Sequence, residues 1–219
     1  MNSTTRQLRK YEAEATPIAV DTDGSRMECF SPFGPWIARS TIPQGLVARI
    51  NAFADSRVSA DTGSEFLLPA EFLCSGGEDS LLRQTAGLVR RYLSRAEGVH
   101  VDNVSFDVFW VVSQYAGTPS PVHFHSGDIA GVLYLKTPEV DEVELQRSYI
   151  EGRTAGHINF LIGGKQRFSK SLISFNPRVG DCYIFPGWLL HVAEPFRGSG
   201  ERRSMAFNAV VGHEPPQGG

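Results

Sequence analysis

The sequence predicts a mainly β fold, a sandwich or jelly roll with a helical flank on its N-terminal side. Three observations carry this. Helical periodicity is confined to two segments in the first hundred residues. After Gly98 the chain breaks into short apolar runs, the first alternating with the period of two that marks a strand. Turn-forming stretches (GTPSP, KTPE, GGKQ, NPRVGD, FRGSGE) separate those runs. Helices first and many short strands afterwards is the pattern of a β layer architecture with helices to one side.

Composition bounds the function. Of 219 residues, 41% are hydrophobic and 21% charged, which is the make-up of a folded chain with its own core. A chain of this length needs no disulfide staples. Cys29, Cys74 and Cys182 are odd in number and far apart, so they read as reduced thiols. Lys and Arg total 21 against 24 Asp and Glu, and the net charge of −3 offers nothing to nucleic acid or an anionic membrane. No apolar run approaches the ~18–20 residues of a membrane span, and MNSTTRQLRKYEAEATPIAV lacks a signal-peptide core. A cytoplasmic location is therefore expected. Whether the chain forms a homodimer stays open.

Taken in order, residues 1–26 are polar and read as a partly flexible arm. Residues 27–212 read as one domain, and HEPPQGG at 213–219 as a disordered tail. FSPFGPW, residues 30–36, reads as a packed extended segment. A helix is expected over about 43–55, with Pro43 in its first turn and Leu46, Val47, Ile50 and Phe53 on one face. A second is expected over about 80–96, capped by Asp79 or Ser80. Its arginines, Arg83, Arg90, Arg91 and Arg95, read as a solvated face with cations near the C-terminal end of the dipole.

Strands follow. Val104, Phe106, Val108, Trp110 and Val112 alternate and read as one face of a single strand. Further strands are expected at 129–135, 157–162, 171–176, 181–186, 191–194 and 203–211. Residues 60–78 and 138–156 are polar with few periodic signals and read as segments that set specificity, with a lid in one or both.

The chemistry concentrates late in the chain. His123 and His125 are two apart, so in a strand both imidazoles point to one face. Imidazole ligates iron, zinc, copper and nickel. His191 arrives 68 residues later, at the end of GDCYIFPGWLLH, and two histidines on one strand with a third on another can close a metal site. Arg202 and Ser204 share a face of the last strand, where guanidinium and hydroxyl together make a carboxylate clamp. The alternative for Arg202 and Arg203 is a surface pair answering Glu201 and nearby acids.

HFHSGDIAGVLYLKTP, FNPRVGDCYIFPGWLLH and ERRSMAFNAVV, in that order over residues 104–212, resemble the Fe(II)/2-oxoglutarate-dependent oxygenase superfamily. More narrowly they resemble its bacterial group with HxH, FPSWLxH and RxSxxFN motifs. The resemblance implies a double-stranded β-helix, a cupin-like jelly roll, acting as an oxidoreductase on a small molecule. It implies Fe(II) as metal, 2-oxoglutarate as cosubstrate and O₂ as oxidant, with hydroxylation of a C–H bond and release of succinate and CO₂. It places iron on His123 and His191, and the distal carboxylate of 2-oxoglutarate on Arg202 with Ser204 assisting. Tyr134 and Asn208 face the same cavity or pack as barrel residues. Trp188 and Phe185 wall the pocket or belong to the core. No catalytic side chain is expected beyond the metal centre.

One departure matters. The superfamily usually completes its metal triad with a carboxylate at HxD or HxE, and here that position is His125. Asp128 is the alternative ligand, but strand parity sends it to the opposite face unless Ser126–Gly127 turns it back. Three histidines also admit two rival readings: an Fe(II) dioxygenase without 2-oxoglutarate, acting on a thiol or diketone, or a non-catalytic metal-binding barrel. Arg202 and Ser204 favour the 2-oxoglutarate reading.

Overall fold

A computed structural model describes residues 27–31, 34–58, 64–118, 120–141, 143, 154–163 and 170–212. The expected arm at 1–26, the tail at 213–219 and most of the 138–156 segment lie outside them.

The chain opens with β1 (Met27–Phe30), β2 (Ile37–Thr41), α1 (Gln44–Asp55), β3 (Ser64–Leu67) and a short α2 (Ala70–Cys74). Next come α3 (Leu81–Tyr92), β4 (Val104–Gln114), β5 (Ile129–Lys136) and β6 (Glu139–Val140). It closes with β7 (Ile158–Leu161), β8 (Leu172–Phe175), β9 (Asp181–Pro186), β10 (Leu190–Ala193), β11 (Gly198–Ser199) and β12 (Arg202–Val211). Seven strands form one antiparallel sheet in the order β1-β2-β9-β5-β12-β4-β3. Three more form a smaller sheet, β10-β7-β8, and β11 pairs with β6. Two antiparallel sheets with few helices make the jelly roll expected of the sequence.

The large sheet buries both faces. Against its outer face pack α1 and α3, with Leu46, Val47, Ile50, Leu88, Val89 and Tyr92 meeting Leu133, Met205, Phe207 and Ala209. Its inner face and the small sheet enclose Ile37, Ala130, Tyr134, Ile158, Phe160, Ile173, Phe175, Tyr183, Phe185 and Leu189. This second core is aromatic: the fully buried Phe160 ring stands 4.8 Å from Phe185 and 6.0 Å from Phe175, both edge-on. Gly131 is demanded by packing, because a Cβ there would lie 2.1 Å from the Phe207 ring.

Both expected helices form. α1 begins directly after Pro43, and Ser80 caps α3 by accepting from the Arg83 amide at 3.4 Å. Beyond Tyr92, α3 widens into a π turn over Leu93–Glu97 and stops at Gly98, whose φ of 68° suits glycine.

Two expectations are corrected. Residues 30–36 are not one extended segment, because Phe30 ends β1, Ile37 begins β2, and the two strands form a hairpin with Phe30 opposite Ile37. The even residues of 104–112 do not share one face. The β12–β4 register pairs Asn208 with Val108 but Ala209 with Phe106, so a bulge absorbs Asp107. Before it, Val104 and Phe106 pack on the helical side, beside Phe109 at 4.9 Å between rings. After it, Trp110, Val112 and Gln114 turn to the inner face and line a cavity.

Candidate metal and cosubstrate site

The site is built on one rung between the HxH segment and β10. His123 and His191 exchange both backbone hydrogen bonds, each at 3.0 Å. A directly opposed pair puts its side chains on one face. That face is inward, because His191 also stands opposite the buried Phe160. Two residues on, the His125 amide donates to the Gly187 carbonyl at 2.8 Å, and the Gly187 amide donates to Asp128 O at 2.9 Å. The approach is close enough to require glycine: a Cβ on Gly187 would lie 1.9 Å from Gly127 O.

The three imidazoles converge. One ligand nitrogen of each lies within 4.8 Å of the others. His125 Nε2 stands 3.2 Å from His191 Nε2. Two imidazoles on one ion at ~2.1 Å are about 3.0–3.4 Å apart, so this pair already has the spacing of shared ligands. His123 Nδ1 lies 2.9 Å from Pro121 O, and His191 Nδ1 lies 3.0 Å from Leu189 O. A carbonyl only accepts, so each Nδ1 carries the proton and each Nε2 keeps its lone pair for the site. Burial pushes the His191 pKa down to about 3, the Leu189 bond opposing and the other two histidines adding. Burial, then the neighbouring His123, pushes His125 down to about 4. Both are neutral at physiological pH, as ligation requires. The donor set therefore suits a first-row divalent metal such as Fe(II).

Asp128 is not part of this cluster. Its carboxylate accepts from the Val211 amide at 2.9 Å and closes the end of β12. The turn at Ser126–Gly127 is taken up by backbone pairing with Gly187 and close packing of Gly127 against Ala209, not by re-aiming Asp128.

From the histidines a cavity of about 430 Å³ runs between the sheets. Phe185, Ile158, Val132, Trp110, Ala206 and Ala193 form much of its wall, and Tyr134, Ser204 and Gln114 add polar groups. Ser204 lies opposite Tyr134 on β5 and Val112 on β4. Arg202, opposite Gln114, is 1% exposed on the same inward face. Its Nε and Nη2 donate to Gln114 Oε1 at 3.0 and 2.7 Å, and Nη2 and Nη1 also reach Ala193 O and Glu194 O. Burial lowers its pKa, opposed by Tyr134 and Glu194. Burial raises the Tyr134 hydroxyl to about 12, so it stays a neutral donor.

Arg203 faces the helices instead. It donates to Glu201 at 2.6 and 3.0 Å and to Asp55 at 2.7 Å, and reaches Asn51 on α1. It is also 1% exposed, so neither arginine lies at the surface, but Arg203 does answer Glu201 and a nearby acid as the alternative expected, and Arg202 does not. Phe185 lines the cavity and Trp188 does not. The Pro186–Leu189 turn directs Leu189 inward and leaves Trp188 56% exposed. Asn208 is buried under Gly127 rather than lining the cavity wall.

Gln114, Trp110 and Glu65 line the cavity and are not read from the sequence. Continuing the alternation of β4 one step past Val112 reaches Gln114. The Trp110 ring lies 5.4 Å from that of His125.

Residues 108–208 match the family described as "Putative 2OG-Fe(II) oxygenase". No curated protein sequence matches the chain. Among solved structures, the fold is similar to a viral collagen prolyl hydroxylase from Paramecium bursaria Chlorella virus-1 in complex with 2OG. Identity is 16%, coverage 88% of this chain and 98% of that one, and the TM-score 0.51. It is similar to a prolyl-4-hydroxylase of Pseudomonas putida at 12% identity, 78% and 91% coverage and a TM-score of 0.50. An oxidoreductase of the 2OG-Fe(II) oxygenase family from Burkholderia pseudomallei is similar at 11% identity, 95% and 90% coverage, with a TM-score of 0.50. Residues 108–208 thus carry the pattern of a 2OG-Fe(II) oxygenase domain, and the converging histidines fit the iron that the family's description names.

Proposed function

We propose that the protein is a non-haem dioxygenase that hydroxylates a C–H bond of a small molecule, with His123, His125 and His191 as the metal ligands. Arg202, Ser204 and Tyr134 then hold the distal carboxylate of 2-oxoglutarate. One observation carries this reading: a single cavity has the convergent imidazoles at one wall and a buried guanidinium behind another.

Bound Fe(II) supplies the redox chemistry, in which O₂ converts 2-oxoglutarate to succinate and CO₂ while one oxygen atom enters the substrate. The chain's own residues bind, orient and exclude water. His123 and His191 are pre-set by carbonyls at Nδ1, so neither ring must turn to present Nε2. Tyr134 and Ser204 offer hydroxyl donors beside each other, and Arg202 supplies the positive charge. Phe185, Ile158 and Val132 keep the intervening space apolar. A cavity near 430 Å³ falls in the range of small-molecule sites. Two relatives are named as prolyl hydroxylases, one of them for collagen.

The test is anaerobic. Fe(II) and 2-oxoglutarate added together should give a visible charge-transfer band, absent with either alone, and air should then yield succinate. Binding of Fe(II) with no band and no affinity for 2-oxoglutarate would give the site to a cosubstrate-free three-histidine dioxygenase.

A further inference from the structure

The carboxylate clamp is already occupied. Arg202 turns the Nε–Nη2 edge of its guanidinium, the edge that grips a carboxylate through two parallel bonds, onto a single amide oxygen, Gln114 Oε1. Its remaining contacts are the Ala193 and Glu194 carbonyls and the face of Phe196, whose ring centre is 5.5 Å from Cζ. Nearly all its N–H donors are spent. Gln114, not Arg202, is the side chain that lines the cavity. A ligand entering beside Tyr134 and Ser204 therefore meets Gln114 first.

We propose that Gln114 is a latch on Arg202, an internal occupant of the carboxylate seat that 2-oxoglutarate must displace. This rests on the reading that Arg202 takes the distal carboxylate. The exchange is chemically favourable. The acceptors described on Arg202 are one amide oxygen and two backbone carbonyls, all neutral, and a carboxylate forms stronger, charge-assisted bonds in the same geometry. The released amide keeps the cavity as its outlet, because Gln114 is half-buried and already borders that space. The Gln114 oxygen also gives the buried guanidinium edge an acceptor, and leaving that edge without one would be costly. It confers selectivity as well: a ligand end that cannot outcompete an amide does not open the seat.

The experiment is calorimetric titration of 2-oxoglutarate into Mn(II)-loaded protein, with stopped-flow binding alongside. Wild type should bind with a rate that saturates at high 2-oxoglutarate, because unlatching is unimolecular. Gln114→Ala and Gln114→Met should bind at least threefold tighter, with rates linear in ligand. Gln114→Glu puts a permanent carboxylate on Arg202 and should bind at least thirtyfold more weakly, at an unchanged melting temperature. If Gln114→Ala weakens binding as much as Arg202→Leu, Gln114 is itself a carboxylate donor and the latch is wrong. Wild-type affinity in Gln114→Glu would overturn it equally. If wild type and Arg202→Leu bind alike, or neither binds, the carboxylate reading of Arg202 falls and the latch falls with it.

Discussion

Gly187→Ala adds one methyl group at the point where the metal site is tied together. The new Cβ would sit 1.9 Å from Gly127 O, 2.9 Å from Gly127 C and 3.4 Å from His125 O. An ordinary contact of this kind is about 3.4 Å, so the two strands must part by more than 1 Å. Two backbone bonds cross this gap, His125 N to Gly187 O at 2.8 Å and Gly187 N to Asp128 O at 2.9 Å. Weakening both costs about 1–3 kcal/mol at 0.5–1.5 kcal/mol each. Overpacking adds about 1–3 kcal/mol. A total of about 2–6 kcal/mol is expected, read as a shift of the urea midpoint at constant slope. The same displacement moves His125 relative to His191, so Fe(II) affinity should fall by at least tenfold in anaerobic competition with a chromogenic chelator. A variant that unfolds within 0.5 kcal/mol of wild type and holds iron equally well would refute the argument that this glycine sets the ligand geometry.

Other substitutions probe the rest of the site and its frame. His125→Ala should lose most Fe(II) affinity while Asp128→Ala keeps it and forfeits about 1 kcal/mol from the Val211 bond, both read by metal titration and urea melts. Arg203→Leu should leave 2-oxoglutarate binding within twofold of wild type. It should cost about 2–4 kcal/mol of stability, because Glu201 stays largely buried with fewer partners, and unchanged stability would count against this. His157, which burial holds down to about 4 beside the Ser174 hydroxyl, is protonated first in the unfolded chain. Its contribution is therefore complete above pH ~6.5 and is lost as pH falls toward 4, by about 2–3 kcal/mol at pH 4.5. His157→Gln should lose that much less than wild type between pH 7.5 and 4.5 in urea melts.

The fold was readable where local pattern and tertiary environment agree. β5, β9 and β12 are rich in apolar and β-branched residues, and both helices show their faces. β1 and β2 were not seen as strands, because MECF and IARST carry weak signals and owe their form to pairing at the sheet edge. The bulge at Asp107 was invisible because its cause is the β12 register, not the β4 sequence. At the site, the HxH pair is legible from strand parity, and His191 from its place at the end of GDCYIFPGWLLH together with the family resemblance. Continuing the β4 alternation reaches Gln114, but its bond to Arg202, 88 residues away, is not legible in the sequence. Trp188 reads as pocket wall or core and is neither, because FPGWLLH gives no sign of which residue the turn ejects.

Arg202 and Arg203 stand side by side on β12 and serve opposite faces of one sheet, the first toward the cavity and the second toward α1. Slipping the strand by one residue would exchange them, and each would still meet oxygen acceptors. Their chemistry alone therefore discriminates poorly between the right threading and the wrong one. The decision falls to the residues that follow. Met205 and Phe207 fill the helical side, while Ser204 and Ala206 leave room on the cavity side. A slipped β12 would drive a phenyl ring into the cavity and leave a void beneath α1. Bulk two and four residues further along thus acts as the proofreader for which arginine faces the cavity. Exchanging Phe207 with Ala206 should damage ligand binding more than a change to either arginine's immediate neighbours on the opposing strands.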